Sequence, residues 1–458
     1  MRKDYKAFLA AKQPRAAAVG VEPKPMPAHV FDFQAHCIEF ELRQGRAGCF
    51  RDTGLGKTID ELEFSRQAEE ATNKPSLIFT PLAVAKQIER EGKRFGYDAR
   101  VIRDQSQVKS GINIINYDRL DKIDPSAFGS VVLDEGSILK SFTGATTRAL
   151  IQAFSDTRFK LSATATPAPN DHMELGQQCE FLGIMASNEM LARWFISVQT
   201  EMGRYRLKKY GEDSFWDWMA SWARMAETPE DLGFDGSAFV LPPLNVVRHK
   251  TYGEVKPQKD GLFAPDVSAT NMFDIKRQTT EARADAVSTL VHSDHEQWVV
   301  WCDTNFEADA LKARIGADCV EVRGSQTIEE KEAGIDAFTL GQARVIITKS
   351  SITGYGCNWQ HCHNTAFVGR SFSYENYYQA IRRMWRYGQK SPVTAHLIVA
   401  EGEEQIGRIV DRKSEDHITM KRSMSAAMKR DRALASGVKV RYDPQHVGRL
   451  PSWLTSAA

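Results

Sequence analysis

What this 458-residue sequence lacks narrows its class before any motif does. No run approaches the roughly 18 consecutive apolar residues that cross a bilayer as a helix. The first 25 residues are basic but hold no apolar stretch of the kind a secretion signal needs. A soluble protein of the cytoplasm is therefore expected. Seven cysteines, Cys37, Cys49, Cys179, Cys302, Cys319, Cys357 and Cys362, include no CxxC pair. An odd, scattered set supports neither a disulfide framework nor a structural zinc site. Cys357, His361, Cys362 and His363 crowd together but match no zinc-ligand spacing. Neither sign of charge dominates either, with 60 Lys and Arg against 59 Asp and Glu. That balance conceals an asymmetry: residues 1–25 carry six basic and two acidic side chains, and residues 412–450 carry ten and four. The middle of the chain is accordingly acidic.

With 42% hydrophobic residues and 10% aromatics, the length fits two or three globular units, each able to bury a core. The first thirty residues, rich in Ala, Pro and Lys, read as a poorly ordered basic arm. Short apolar runs then alternate with helical patterns: Ala47–Phe50, Ser76–Thr80, Ile112–Ile115, Ser130–Leu133 and Phe159–Leu161. A second series follows at Gln297–Trp301, Cys319–Val322, Arg344–Ile347, Thr365–Val368 and Ala395–Val399. This rhythm predicts two tandem α/β domains, each a parallel sheet flanked by helices, over residues 31–245 and 246–410. Residues 172–240 break the rhythm and read as a helical insertion on the first domain. There Phe215, Trp218, Met219 and Trp222 recur at helical spacing, which fits a buried core better than a base-stacking platform. Leu241-Pro242-Pro243-Leu244 reads as an extended hinge, because a residue before proline avoids the helical region. Residues 411–458 form a basic C-terminal tail in which Lys421-Arg422 and Lys429-Arg430 make either a solvated helix face or phosphate contacts.

Three elements carry chemistry. RDTGLGKT, Arg51 to Thr58, follows an apolar strand and opens a helix, the context of a phosphate-binding loop. Backbone N–H groups of Thr53, Gly54, Leu55, Gly56, Lys57 and Thr58 would cradle phosphates, Lys57 would reach the β and γ phosphates, and Thr58 would hold Mg²⁺. The general pattern places Gly where this chain has Arg51. Next, Val131-Val132-Leu133-Asp134-Glu135 is an apolar strand ending in two carboxylates. Asp134 would bind Mg²⁺ and Glu135 would orient and deprotonate the attacking water. Third, Gln379, Arg383 and Arg386 stand at i, i+4 and i+7 of a predicted helix, within about 60° of one another. A γ-phosphate held by the first domain needs such cations from the facing one.

Through these strings the chain resembles the superfamily 2 helicase-like ATPases, and within them the Snf2-type DNA translocases of compact bacterial or phage type. Phe33-Gln34 resembles the element that reads adenine, RDTGLGKT motif I, Ile78 to Leu82 motif Ia, and Ile115-Asn116-Tyr117 motif Ib. Asp134 to Ser137 resembles motif II, although the family usually has His or Gln where Ser137 stands. LSATATPAPND, Leu161 to Asp171, resembles motif III and admits two registers, through Thr164 or Thr166. WVVWCDTN is similar to motif IV and KSSITGYGCNW to motif V. QAIRRMWRYGQ is similar to the family's QAIGRAHRIGQ, with Arg382 in place of Gly. The resemblance implies ATP and Mg²⁺ as cofactors and duplex DNA as partner, in a monomer working in a bacterial or phage-infected cell. It implies that Gln34, Gly356 and Gln379 help bind nucleotide. It also places Thr80, Pro81, Asn116 and Ser350 at the nucleic-acid backbone. Movement along duplex DNA is the implied function, with strand separation and a slowly hydrolysing nucleic-acid clamp as the alternatives.

Overall fold

The computed structural model describes residues 14–82, 84–141, 144–198, 205–251, 276–354, 357–369, 373–400 and 404–435. The first lobe runs α1 (Asp32–Gln44), β1 (Arg46–Arg51), α2 (Lys57–Thr72), β2 (Ser76–Thr80), α3 (Ala85–Arg94), β3 (Ala99–Val101), β4 (Ile112–Asn116) and β5 (Ser130–Asp134). It continues through α4 (Ala145–Ala153), β6 (Phe159–Ala163), α5 (Leu175–Leu182), α6 (Ser187–Trp194), β7 (Phe195–Ser197), β8 (Tyr205–Leu207), α7 (Glu212–Ala220) and β9 (Ala223–Ala226). The second lobe begins with β10 (Leu244–Thr251), α8 (Thr280–Val291), β11 (Trp298–Cys302), α9 (Asn305–Ile315), β12 (Cys319–Val322) and α10 (Ile328–Thr339). It ends with β13 (Val345–Lys349), α11 (Ser350–Thr353), β14 (Asn364–Phe367), α12 (Tyr374–Ile381), β15 (Val393–Ala400) and the long α13 (Glu404–Ala435).

Seven strands form one sheet in the order β3-β4-β2-β5-β6-β1-β9, and six form a second in the order β10-β15-β14-β11-β13-β12. Every pairing in both is parallel. Parallel neighbours need crossover connections, so helices cover both faces and the central strands are buried, as in SLIFT of β2, while the edge strands β3, β10 and β12 stay partly exposed. The fold is thus two tandem RecA-like α/β domains. Local signals agree with it: Thr304 with Glu307 and Thr327 with Glu330 make capping boxes that start α9 and α10.

Four expectations need correction. From residue 14 onward the arm is not loose. Val19, Gly20 and Val21 donate to the carbonyls of Gln44, Arg43 and Leu42, the last turn of α1, whose acceptors lack helical partners. Arg158 in turn donates to the carbonyls of Val19 and Gly20. The insertion is not purely helical, because it holds the antiparallel β7–β8 hairpin and ends in β9, which extends the first sheet beside β1. The small-residue strand Ala223-Arg224-Met225-Ala226 carries no β-branched signal and is held by burial against Gly48 to Arg51. The C-terminal segment is not simply a basic tail, since Met420, Met424, Ala427 and Met428 of α13 sit in the core of the first lobe. The predicted stripe of Gln379, Arg383 and Arg386 fails too: α12 stops at Ile381, and the two arginines lie in tight turns ending at Gly388 with φ 93°.

The aromatic run is core, as its spacing implies. Trp194 stacks on Trp218 with ring centroids 4.6 Å apart, and Trp222 meets Phe50 edge-on. Cys357 and Cys362 are likewise buried among apolar neighbours in the second lobe. Among the described residues, no helix is long and apolar enough to cross a membrane.

Candidate active site between the two lobes

The phosphate-binding loop spans the turn from β1 to α2. Gly54 and Gly56 adopt φ values of 91° and 72°, which only glycine takes without strain. Space forbids a side chain as well: a Cβ on Gly56 would lie 2.2 Å from Gln34 Nε2, and one on Gly54 3.0 Å from the Tyr387 nitrogen. Gln34, expected to read a base, here fastens the loop. Its amide donates to the Leu55 carbonyl at 3.1 Å and accepts from the Phe31 N–H at 3.0 Å. Lys57 Nζ donates to the carbonyls of Arg51 and Asp52 at 3.0 and 3.3 Å. Burial lowers the affinity of that ammonium for its proton, and the Glu135 carboxylate opposes the shift. Thr58 stands in the first turn of α2, where backbone N–H groups have no intrahelical acceptor.

Arg51, the departure from the usual loop pattern, is fully buried and ion-paired with Asp60. Glu41, Cys49 and Asp60 bring ligand atoms within 4.8 Å of one another. The guanidinium supplies the positive charge among these groups, so the cluster is structural.

Asp134 ends β5. Its carboxylate accepts from Thr80 Oγ1 at 2.6 Å, and its carbonyl accepts from the Tyr117 hydroxyl at 2.7 Å. Thr80 is therefore not a nucleic-acid contact. As the last residue of β2 it is fully buried and spends its hydroxyl on Asp134. Glu135 sits in the left-handed region, φ 58° and ψ 53°, a conformation that costs a side-chain-bearing residue about 1 kcal/mol or more. Its Oε2 is buried and makes no hydrogen bond. Burial first, then Asp134 beside it, raise its carboxyl to about 7, against the pull of Lys57 and Arg383. Burial also raises Asp134. Two adjacent carboxylates whose protons burial holds are the surroundings a divalent cation would satisfy, and Asp134 fits such a cation.

From the second lobe, Arg383 donates to the Gln379 side chain at 2.8 Å and to the Gln379 carbonyl at 3.0 Å. Its field still reaches Asp134 and Glu135. Burial, reinforced by Arg383 and Arg382, brings Arg386 down to about 10, opposed by Glu91. Gln379 is buried with its Nε2 unbonded. Gly356 lies outside the described residues. Asn116 caps the turn after β4 by accepting from the Asp118 N–H at 3.4 Å. Pro81 lines an interlobe cleft of about 700 Å³ with Lys86, Arg90, Lys331 and Ile352. Ser350, half-buried, opens the short helix α11 beside it.

Three contributors carry no local sequence signal. Gln178 of α5 joins motif II to motif III, donating to the Gly136 carbonyl at 2.8 Å while accepting from Ser162 Oγ at 2.7 Å. It supplies a link that Ser137 does not provide. Phe31, Phe33, Phe239 and Tyr387 form an aromatic cluster flanking the loop, with Phe239 and Tyr387 stacked at 4.7 Å across the lobes. Asp52 gathers Tyr378, Arg382 and Lys421 around a buried carboxylate.

Residues 282–388 match the helicase conserved C-terminal domain. A SWI/SNF-related matrix-associated actin-dependent regulator of chromatin subfamily A-like protein 1 from Bos taurus is 22% identical over 430 residues, 85% of this chain and 44% of that protein. A DNA repair and recombination protein RAD54-like from Drosophila pseudoobscura pseudoobscura is 24% identical over 205 residues, 43% of this chain and 23% of that protein. The chain thus spans less than half the length of these curated relatives. Among solved structures, the Sulfolobus solfataricus SWI2/SNF2 ATPase core in complex with dsDNA aligns over 91% of this chain and 98% of its own, at 15% identity and a TM-score of 0.41. With its motifs in order and these relatives, the chain is similar to the superfamily 2 helicase-like ATPases of Snf2 type.

Proposed function

We propose that this chain hydrolyses ATP between its lobes and uses the resulting opening and closing to move along duplex DNA without parting the strands. The observation that carries the reading is Glu135: a strained, buried carboxylate with a free oxygen and a proton affinity near neutrality, beside Asp134 and the glycine loop. A general base works best with a pKa close to the working pH. Glu135 would hold the attacking water and take its proton at Oε2. The loop N–H groups from Gly54 to Thr58 and the Lys57 ammonium would bind the phosphates, with Gln34, Gly356 and Gln379 completing the nucleotide site. Magnesium, held by Thr58 and Asp134, would neutralise charge on the β and γ oxygens. Arg383 and Arg386 would turn from their present contacts toward the γ-phosphate as the lobes tighten.

The duplex-DNA part of the reading rests on the relatives, one of which is named for DNA repair and recombination. A motor of this kind grips phosphates: Pro81 lines the interlobe cleft, Asn116 ends β4 beside Thr80, and Ser350 begins α11. Phosphate contacts position a protein without reading sequence, so little base preference is expected. Two assays test the proposal. ATP turnover is measured with duplex DNA, single-stranded DNA and RNA as separate stimulators. The motor is then given a triplex whose third strand can be pushed off and a forked duplex whose strands must be parted. Stimulation by duplex with triplex displacement supports the reading, whereas efficient fork opening replaces it with strand separation. Absence of ATP hydrolysis under all conditions overturns it.

A further inference from the structure

The second lobe grips the phosphate-binding loop through residues other than the two arginines expected to meet the γ-phosphate. Arg382 is buried and points into the first lobe, donating from Nε to Thr53 Oγ1 at 2.6 Å and from a terminal nitrogen to the Thr53 carbonyl at 2.7 Å. The same terminal nitrogen stands 3.2 Å from Asp52 Oδ2. Asp52, almost wholly shielded from solvent, also accepts from the Thr53 N–H at 2.7 Å and from the Tyr378 hydroxyl. A third cation arrives from α13, where Lys421 Nζ lies 3.4 Å from both Asp52 Oδ2 and the Tyr378 oxygen. The partners are 326 to 369 residues away in sequence. Arg382 and then Lys421 offset burial so strongly that the Asp52 carboxyl is held well below the ordinary range.

We propose that Asp52, Arg382, Tyr378 and Lys421 form a latch that shapes the phosphate-binding loop from outside, making Arg382 and Lys421 positioning residues for nucleotide binding. The geometry is specific. Arg382 holds the Thr53 carbonyl and hydroxyl while Asp52 holds the Thr53 N–H, so both backbone polar groups of the residue ahead of Gly54 are fixed, one in each of its flanking peptide units. A planar guanidinium can meet three oxygens in one plane, whereas an ammonium at the same position cannot reproduce the fork. Lys421 extends the latch to α13, which leaves the second lobe and lies across the first. Displacement of that helix would therefore loosen the loop and lower nucleotide affinity without touching the nucleotide. The proposal rests on the ATP-binding part of the function inferred above and deepens it.

The test uses the full chain and the variants Asp52→Asn, Arg382→Ala, Arg382→Lys, Tyr378→Phe, Lys421→Ala and the Asp52→Asn/Arg382→Ala double. Binding of Mg²⁺ with a fluorescent N-methylanthraniloyl ADP is titrated, melting temperature is recorded, and KM and kcat for ATP are measured. Losing one charged hydrogen bond to the loop should weaken binding by about ten-fold or more. Arg382→Ala and Asp52→Asn should each show this, Arg382→Lys should not rescue it, and Lys421→Ala and Tyr378→Phe should shift it less in the same direction. The double variant should bind no more weakly than the poorer single, and KM should rise more than kcat falls. Unchanged affinity in Tyr378→Phe, Lys421→Ala and Asp52→Asn would overturn the latch even if Arg382→Ala failed to fold. So would additive losses in the double variant. Normal nucleotide binding without hydrolysis in the unaltered chain would remove the proposed motor activity and leave the latch standing.

Discussion

His417 should make the protein lose stability as the medium becomes mildly acidic, because the fold buries it without a hydrogen-bond partner. The residue lies on α13 with both ring nitrogens buried and unbonded, flanked by the rings of Tyr374 and Tyr378. Burial, then Lys421 and His172 against the pull of Asp52, depress its proton affinity from 6.5 to about 3. A cationic group depressed in the folded state is bound by protons only after unfolding. The folded protein therefore has its full stability above about pH 6.5 and loses it progressively as pH falls toward 3. At pH 5.5, one unit below the unfolded value, the unfolded chain gains on the order of 1 kcal/mol from protonating this one residue. That figure depends on the unfolded value and hardly at all on how far below 5 the folded one lies. Replacing His417 by Phe keeps a ring between the two tyrosines and removes the titration. Urea midpoints at pH 8.0 and 5.5 for both proteins isolate the effect, because the buried His172 contributes equally to each. The variant should lose on the order of 1 kcal/mol less than the unaltered chain between those conditions. Equal losses would refute the argument and mean that His417 finds a proton-stabilising partner in the folded state.

Lys57→Ala should lower both nucleotide affinity and turnover, whereas Glu135→Gln should keep binding and reduce turnover on the order of 10²-fold or more, read in single-turnover hydrolysis. Near-normal turnover in Glu135→Gln would remove that residue as the base. Arg383→Ala and Arg386→Ala should abolish nucleic-acid-stimulated hydrolysis, by roughly 10³-fold or more, while N-methylanthraniloyl ADP still binds. Unchanged stimulated turnover in either would refute its approach to the γ-phosphate.

The parts of this molecule that were legible in its sequence are those whose cause is local. Ser76–Thr80 and Ser130–Leu133 coincide with strands because burial on both faces demands apolar side chains at successive positions. RDTGLGKT announces its loop because only glycine tolerates the dihedrals at Gly54 and Gly56. What stayed hidden depends on partners remote in sequence. Ala223–Ala226 becomes a strand only because β1 offers an edge. Met420, Met424, Ala427 and Met428 at helical spacing could be seen, yet nothing local says that their face belongs to the first lobe. Thr80 was misplaced because its strand and Asp134 were each legible, whereas the strand pairing that sets the Asp134 carboxylate, 54 residues on, against its hydroxyl was not. Arg382 was read as a departure from the family string, and its meaning lies in Asp52 and Thr53 across the interface.

Glu135 offers a last test, in which stability and catalysis should move in opposite directions. Its left-handed backbone costs about 1–2 kcal/mol for a residue with a Cβ. Its unbonded buried oxygen costs roughly a further 1–3 kcal/mol. Glycine removes both penalties and returns about 0.5–1 kcal/mol through the greater freedom of the unfolded chain. Glu135→Gly should therefore be stabler than the unaltered protein by roughly 1–4 kcal/mol in the urea transition of the first lobe. Glu135→Gln, which keeps the strained backbone and a buried polar group, should fall between the two. Both should be hydrolytically impaired. That ordering would mean the fold bears a strained, under-bonded side chain because hydrolysis needs its free oxygen at that place. A glycine variant less stable than the glutamine one would show instead that the Glu135 conformation is supported by its surroundings, and the strain would lose its functional meaning.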